Sequence, residues 1–72
     1  MAIDTLDLHG VPHAQVEAKV ENFVLLSVLP CRIITGNSPG MQSLVNNILK
    51  RHQLTSCYEN DYNLGALIVI EN

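Results

Sequence analysis

Tryptophan is absent from these 72 residues, and one phenylalanine and two tyrosines are the whole aromatic complement. The core must therefore come from Leu, Val and Ile, and few rings are left to stack on nucleic-acid bases. Positive charge is scarce as well, with four Lys and Arg against seven Asp and Glu and a formal net charge of -3. Non-specific affinity for polyanions comes from cations that neutralise phosphates, so the charge balance counts against a strong polyanion binder, and any nucleic acid, RNA or DNA, is expected to be bound weakly. Long hydrophobic runs are missing too. The longest clearly apolar one, Ala66 to Ile70, falls far short of the roughly 20 residues a membrane-crossing helix needs. Met1-Ala2-Ile3-Asp4 has no basic region followed by an apolar stretch. No membrane partner is expected, and the chain reads as cytoplasmic. Cysteine is limited to Cys31 and Cys57, isolated rather than in a CxxC. That pattern indicates neither a disulfide nor a zinc site, and both thiols are expected inside as small apolar groups.

What the chain does have is a hydrophobic fraction of 47%, which excludes disorder at this modest net charge. The length fits one domain spanning residues 1–72, and a chain of this size buries only about 60% of the surface it exposes when unfolded. Its stability margin is expected to be thin. No internal repeat, low-complexity tract or linker interrupts it.

Taken in order, Ile3 to Leu8 reads as a first strand, with Leu6 and Leu8 on one face and Asp7 and His9 leaving by the other. Gly10 can turn sharply there, and Pro12 suits the first position of a helix. Val16, Val20, Phe23 and Val24 follow helical spacing while Gln15, Glu17, Lys19, Glu21 and Asn22 fill the other side. The helix should fade between Leu26 and Val28, ahead of Pro30. Cys31 to Thr35 reads as a second strand, buried on both faces or nearly so, that ends at Gly36. Strand, helix, strand implies a right-handed parallel crossover. Ser38 can cap a second helix with Pro39 in its first position, and Met41, Leu44, Val45, Ile48 and Leu49 make a one-sided stripe. Lys50, Arg51 and His52 close that helix, where cations complement its negative end. Leu54 to Glu59 and Ala66 to Glu71 read as strands three and four, joined as an antiparallel hairpin through the turn-rich Asn60 to Gly65. The fold class is thus α/β, a two-layer sandwich in the order β-α-β-α-β-β, with a four-stranded mixed sheet and both helices on one face.

Ligands of a parallel βαβ unit bind beyond the carboxyl ends of its strands. If the first two strands are neighbours, Asp7, His9 and Gly10 sit beside Thr35, Gly36, Asn37 and Ser38, and the second helix points its free N–H groups into the same space. A phosphodiester resting on the amides after Gly36 would then meet an imidazole able to move a proton near neutral pH, with Asp7 to orient it or accept one. The plainer reading is that Asp7 caps the turn and Asn37 to Gly40 only caps the helix. His13 lies one turn before Glu17 and with His9 and Asp7 could form a metal set, although a solvated histidine at a helix start is the simpler account. No cofactor is called for, and a divalent metal is left open. Tyr58 and Tyr62 could stack on a base or serve for edge packing.

At this point the sequence resembles a known family. LDLHG, an amphipathic helix, a strand ending in ITG, a second amphipathic helix and a final strand introduced by LGALIV are similar to the Smr, or small MutS-related, domain, over nearly the whole chain from Leu6 to Ile70. The resemblance implies a two-layer α/β fold similar to the C-terminal domain of a bacterial translation initiation factor, and an endonuclease that nicks DNA or cleaves RNA. It carries Asp7 and His9 over as catalytic candidates and Gly36 as part of the substrate-binding loop. The family's second motif is TGxG, often with a basic residue between the glycines. Here it reads Thr35-Gly36-Asn37-Ser38, or else Asn37 to Gly40 matches a later part of a longer loop; either way a phosphate-facing cation is missing. Two other functions fit the same chain. One is a non-catalytic module that binds nucleic acid or a ribosome-associated partner. The other is a protein-interaction domain that forms a homo-oligomer through a sheet edge or an apolar surface.

Overall fold

The computed structural model describes residues 3–60, 62 and 64–71. Its elements run β1 (Thr5–Asp7), α1 (His13–Leu26), β2 (Cys31–Ile34), α2 (Pro39–Arg51), β3 (Leu54–Tyr58) and β4 (Ala66–Glu71). The four strands form one mixed sheet in the order β1-β2-β4-β3, with β1 parallel to β2 and β4 antiparallel to both of its neighbours. The expected α/β architecture is therefore present, including the parallel β1-α1-β2 unit and the hairpin of β3 and β4. Of the turn between these last two strands, Asp61 and Asn63 lie outside the described residues.

Side-chain alternation decides how the layers meet. Leu6 and Leu8, Cys31 and Ile33, and Leu67 and Val69 point from three strands toward the helices. Val16, Val20 and Val24 of α1 and Met41, Val45, Ile48 and Leu49 of α2 close over them. The helices touch each other as well as the sheet. The core is aliphatic, as the shortage of aromatics requires.

The polar face of the sheet differs from expectation at β2. Cys31 and Ile33 are buried, but Arg32 and Ile34 are only half-buried, because no helix covers that side. Arg32 lies across it, ion-paired with Glu59 and donating from Nη1 to Thr5 Oγ1 at 3.4 Å. It stands opposite Ile68 in the strand register, and its Nε is buried without a hydrogen-bond partner among the described residues. The second correction concerns the thiols. Cys31 is buried, but Cys57 is exposed, since it alternates with the helix-facing Ser56 on an outer strand and so points out through the open face.

Helix ends follow the local chemistry. Ser38 caps α2 by accepting from the Met41 amide at 3.3 Å, and Pro39 occupies the first turn. Pro12 sits one place earlier than expected, as the capping residue of α1, which has no side-chain cap. At the other end of the helix layer, Arg51 pairs with Glu17 and His52 with Glu21, each at 3.2 Å, so the last turn of α2 is tied to one side of α1.

Candidate functional site

The end of β1 is shaped by three short-range bonds. The Leu8 amide donates to Ile34 O at 2.9 Å and keeps the chain against β2 for one residue beyond Asp7. The His9 amide then donates to Asp7 Oδ1 at 2.8 Å, and the Val11 amide to Leu8 O at 3.0 Å. Gly10 turns the chain with φ +74°, a conformation that L side chains rarely adopt. Asp7 therefore acts here as the acceptor of an Asx turn, the plainer of its two expected roles. Both Asp7 and His9 are exposed, and the His9 imidazole has no hydrogen-bond partner among the described residues.

Parallel pairing places Asp7 opposite Ile34, so the β1 turn and the Thr35-Gly36 turn leave adjacent strands at the same end of the sheet. The second turn is held tightly from the far side. The amides of Thr35 and Gly36 both donate to Gly65 O, at 2.8 and 3.0 Å. The Thr35 hydroxyl donates to Gly36 O at 2.8 Å and lies 3.3 Å from Gly65 O. Thr35 is buried, and its polar groups are spent on this latch. Gly36 has φ +71°. Ser38 Oγ is taken up by the cap, which leaves the amides of Asn37, Ser38 and Gly40 without a partner among the described residues at the start of α2.

Sequence reasoning missed what stands behind this turn. Gln42, buried within α2, donates from Nε2 to Leu64 O at 2.6 Å and to Gly36 O at 3.2 Å, and its Oε1 accepts from the Tyr58 hydroxyl at 3.2 Å. One side chain thus joins the loop after β2, the loop before β4 and the end of β3. A signal was present, since Gln42 stands three residues before Val45 and seven before Leu49, a polar residue in the buried stripe. Gly65 is the other omission. A Cβ there would stand 3.1 Å from the Gly36 carbonyl carbon and 3.3 Å from its Cα, so the two loops come this close because residue 65 has no side chain.

The cations lie elsewhere, as expected. Arg32 is paired with Glu59 on the open face, Arg51 with Glu17, Lys19 borders a groove beside α1, and Lys50 borders another between α2 and β3. Among the described residues no three His, Cys, Asp or Glu side chains gather closely enough to hold a metal ion, and Glu17, considered with His13, is turned to Arg51 instead. Tyr58 is committed to Gln42, whereas the Tyr62 side chain is fully exposed. No protein-family model matches this chain, and neither does any curated protein or solved structure.

Proposed function

We propose that the chain is an Smr-like domain that binds RNA or DNA weakly and cleaves its phosphodiester backbone, with His9 at the chemistry. The observation that carries this reading is that the Asp7–His9 turn and the loop into α2 leave adjacent strands at one end of the sheet, the first with an exposed imidazole and the second with Asn37, Ser38 and Gly40 amides, all without a hydrogen-bond partner among the described residues. A phosphate held by those amides would lie at the positive end of the helix. His9 would take the proton from the attacking hydroxyl or water as the new P–O bond forms, and the imidazolium would give that proton, directly or through water, to the leaving oxygen as the old bond breaks. Asp7, whose Oδ1 holds the His9 amide, is then a positioning residue. The LDLHG and ITG motifs and the order of elements support the same reading.

The test is cleavage of labelled single-stranded RNA and duplex DNA, with and without chelator. His9→Ala is expected to abolish cleavage while the protein remains folded. Asp7→Asn keeps an oxygen for the His9 amide and should retain most activity, whereas Asp7→Ala should lose roughly ten- to a hundredfold. Loss in Asp7→Asn equal to that in Asp7→Ala would assign the carboxylate charge a direct part. Equal activity in wild type and His9→Ala would overturn the catalytic reading.

A non-catalytic binding module is the second reading, favoured by the four cations, none of which lies at this turn. It is distinguished by salt-sensitive binding without cleavage.

A further inference from the structure

The flank formed by β1 and the second half of α1, which ends at the Asp7–His9 turn, carries a feature of its own. β1 is an outer strand. The Arg32 amide donates to Asp4 O and the Leu8 amide to Ile34 O, so the even-numbered residues turn their backbone groups to β2. The amides and carbonyls of Thr5 and Asp7 point outward, and nothing among the described residues pairs with them. Beside this edge runs a groove lined by Leu6, Lys19, Asn22, Phe23, Leu26 and Ser27. Next to it Leu25, Leu26 and Val28 are 69%, 79% and 78% exposed. From Phe23 to Cys31 the chain has no charged residue.

We propose that this flank is a self-association surface, on which two copies of the chain join β1 to β1 antiparallel about a two-fold axis at Leu6. The two four-stranded sheets then become one continuous sheet, with the α1 helices side by side upon it. In this register Thr5 of each copy stands opposite Asp7 of the other, and each such pair exchanges both backbone hydrogen bonds. Leu6 meets Leu6 at the closer, non-bonded position, inside the groove.

Three observations select a second copy as the occupant. The outward backbone groups of an outer strand match those of another extended chain, and the register centred on Leu6 uses the outward groups of both Thr5 and Asp7 in both copies. Charge is complementary as well. Antiparallel pairing carries Asp4 of the second copy toward the Leu8 end of the strand, on the side that faces the helices, where Lys19 stands. Among the described residues Lys19 has no ion pair, and Asp4 uses Oδ2 alone, for the Val28 amide at 3.3 Å. Finally, the exposed apolar stretch from Phe23 to Cys31 carries no charge, in keeping with the charge-poor centres of interfaces, so it brings no like charges into the contact. One lysine is too little for a membrane surface or a nucleic acid. A stable dimer buries about 800 Å² on each partner, about one sixth of the 4674 Å² that this chain exposes.

Sedimentation equilibrium of the wild type should show a concentration-dependent mass rising from 7.9 kDa toward twice that value. Leu26→Asp and Val28→Asp alter exposed side chains only, so they should keep the wild-type circular dichroism and weaken the dimer at least tenfold. Lys19→Glu should weaken it severalfold. Hydrogen exchange of the wild type supplies a readout that needs no variant: the Thr5 and Asp7 amides should be protected at high concentration and lose protection on dilution. A wild type that stays monomeric up to about 1 mM overturns the proposal, as does a dimer indifferent to Leu26→Asp and Val28→Asp. So does exchange at Thr5 and Asp7 that is the same at both concentrations.

Discussion

Gln42 shows how much of a small fold can hang on one polar side chain. Its amide group satisfies two loop carbonyls and a tyrosine hydroxyl at once, all partly buried. Replacing it with Leu would fill the space but leave Gly36 O and Leu64 O without this donor, a loss of about 1–3 kcal/mol. Tyr58→Phe removes one neutral bond and should cost less, about 0.5–1.5 kcal/mol. Urea midpoints of the two variants would check the order. The thiols make a second contrast at the same scale. Burial, and then the nearby Asp4 carboxylate, push the Cys31 thiol above the ordinary cysteine range, whereas Cys57 is exposed. Only the thiolate reacts. A thiol reagent is therefore expected to modify Cys57 alone in the native protein and both cysteines in denaturant, as read by mass spectrometry and peptide mapping. Two adducts at native rates would mean that Cys31 is accessible.

Among the elements, α1 and α2 are joined outside the core by the Glu17–Arg51 and Glu21–His52 contacts. The hydrogen bond and charge of Arg51 hold the Glu17 carboxyl below its ordinary value. A carboxyl whose folded value is depressed adds stability above its unfolded value and loses it as pH falls through the folded one. Glu17→Gln should accordingly be less stable than wild type at neutral pH, by an amount that shrinks with added salt and disappears as the pH falls through the lowered value of the folded Glu17 carboxyl. Because both side chains are half-exposed, the difference should be small. A gap that persists in acid would place the effect in packing. The elements themselves were legible wherever periodicity was long: α2, with its Ser38 cap and its stripe from Met41 to Leu49, and β4 begin and end as the sequence predicts. The shorter β1 and β2 lost residues at their ends, and β2 was read as buried on both faces because two isoleucines look alike whichever way they point. Ile34 turned out to face the open side with Arg32.

At the scale of the fold, eight aliphatic side chains and the Cys31 thiol are essentially fully buried among the described residues and make a single core. At the usual 0.05–0.15 kcal/mol per residue, a chain of this length has about 4–11 kcal/mol of stability. Leu49→Ala, which opens a cavity at the centre, should remove about 2–5 kcal/mol of it. The variant is expected to be partly or wholly unfolded at 37 °C, and a cooperative melt matching the wild type would contradict the core described. The candidate site was less legible than the core. The positions of Asp7, His9 and the Thr35-Gly36 turn at one end of the sheet followed from strand order, but the Gly65 carbonyl that occupies the Thr35 and Gly36 amides comes from 30 and 29 residues away. No local pattern announces a contact of that separation.

The same separation governs how such a chain becomes a sheet in time. β4, sixth in chain order, lies between β2 and β3. A polypeptide made from its N-terminal end must therefore hold both helices and three strands, with β2 and β3 still apart, until Ala66 to Glu71 is free to slot between them. A nascent chain halted at Gly65 would present Cys31 and Ile33 without Leu67 and Val69 beside them. That arrest would leave a sticky, protease-sensitive intermediate, and release of six more residues would convert it in one cooperative step.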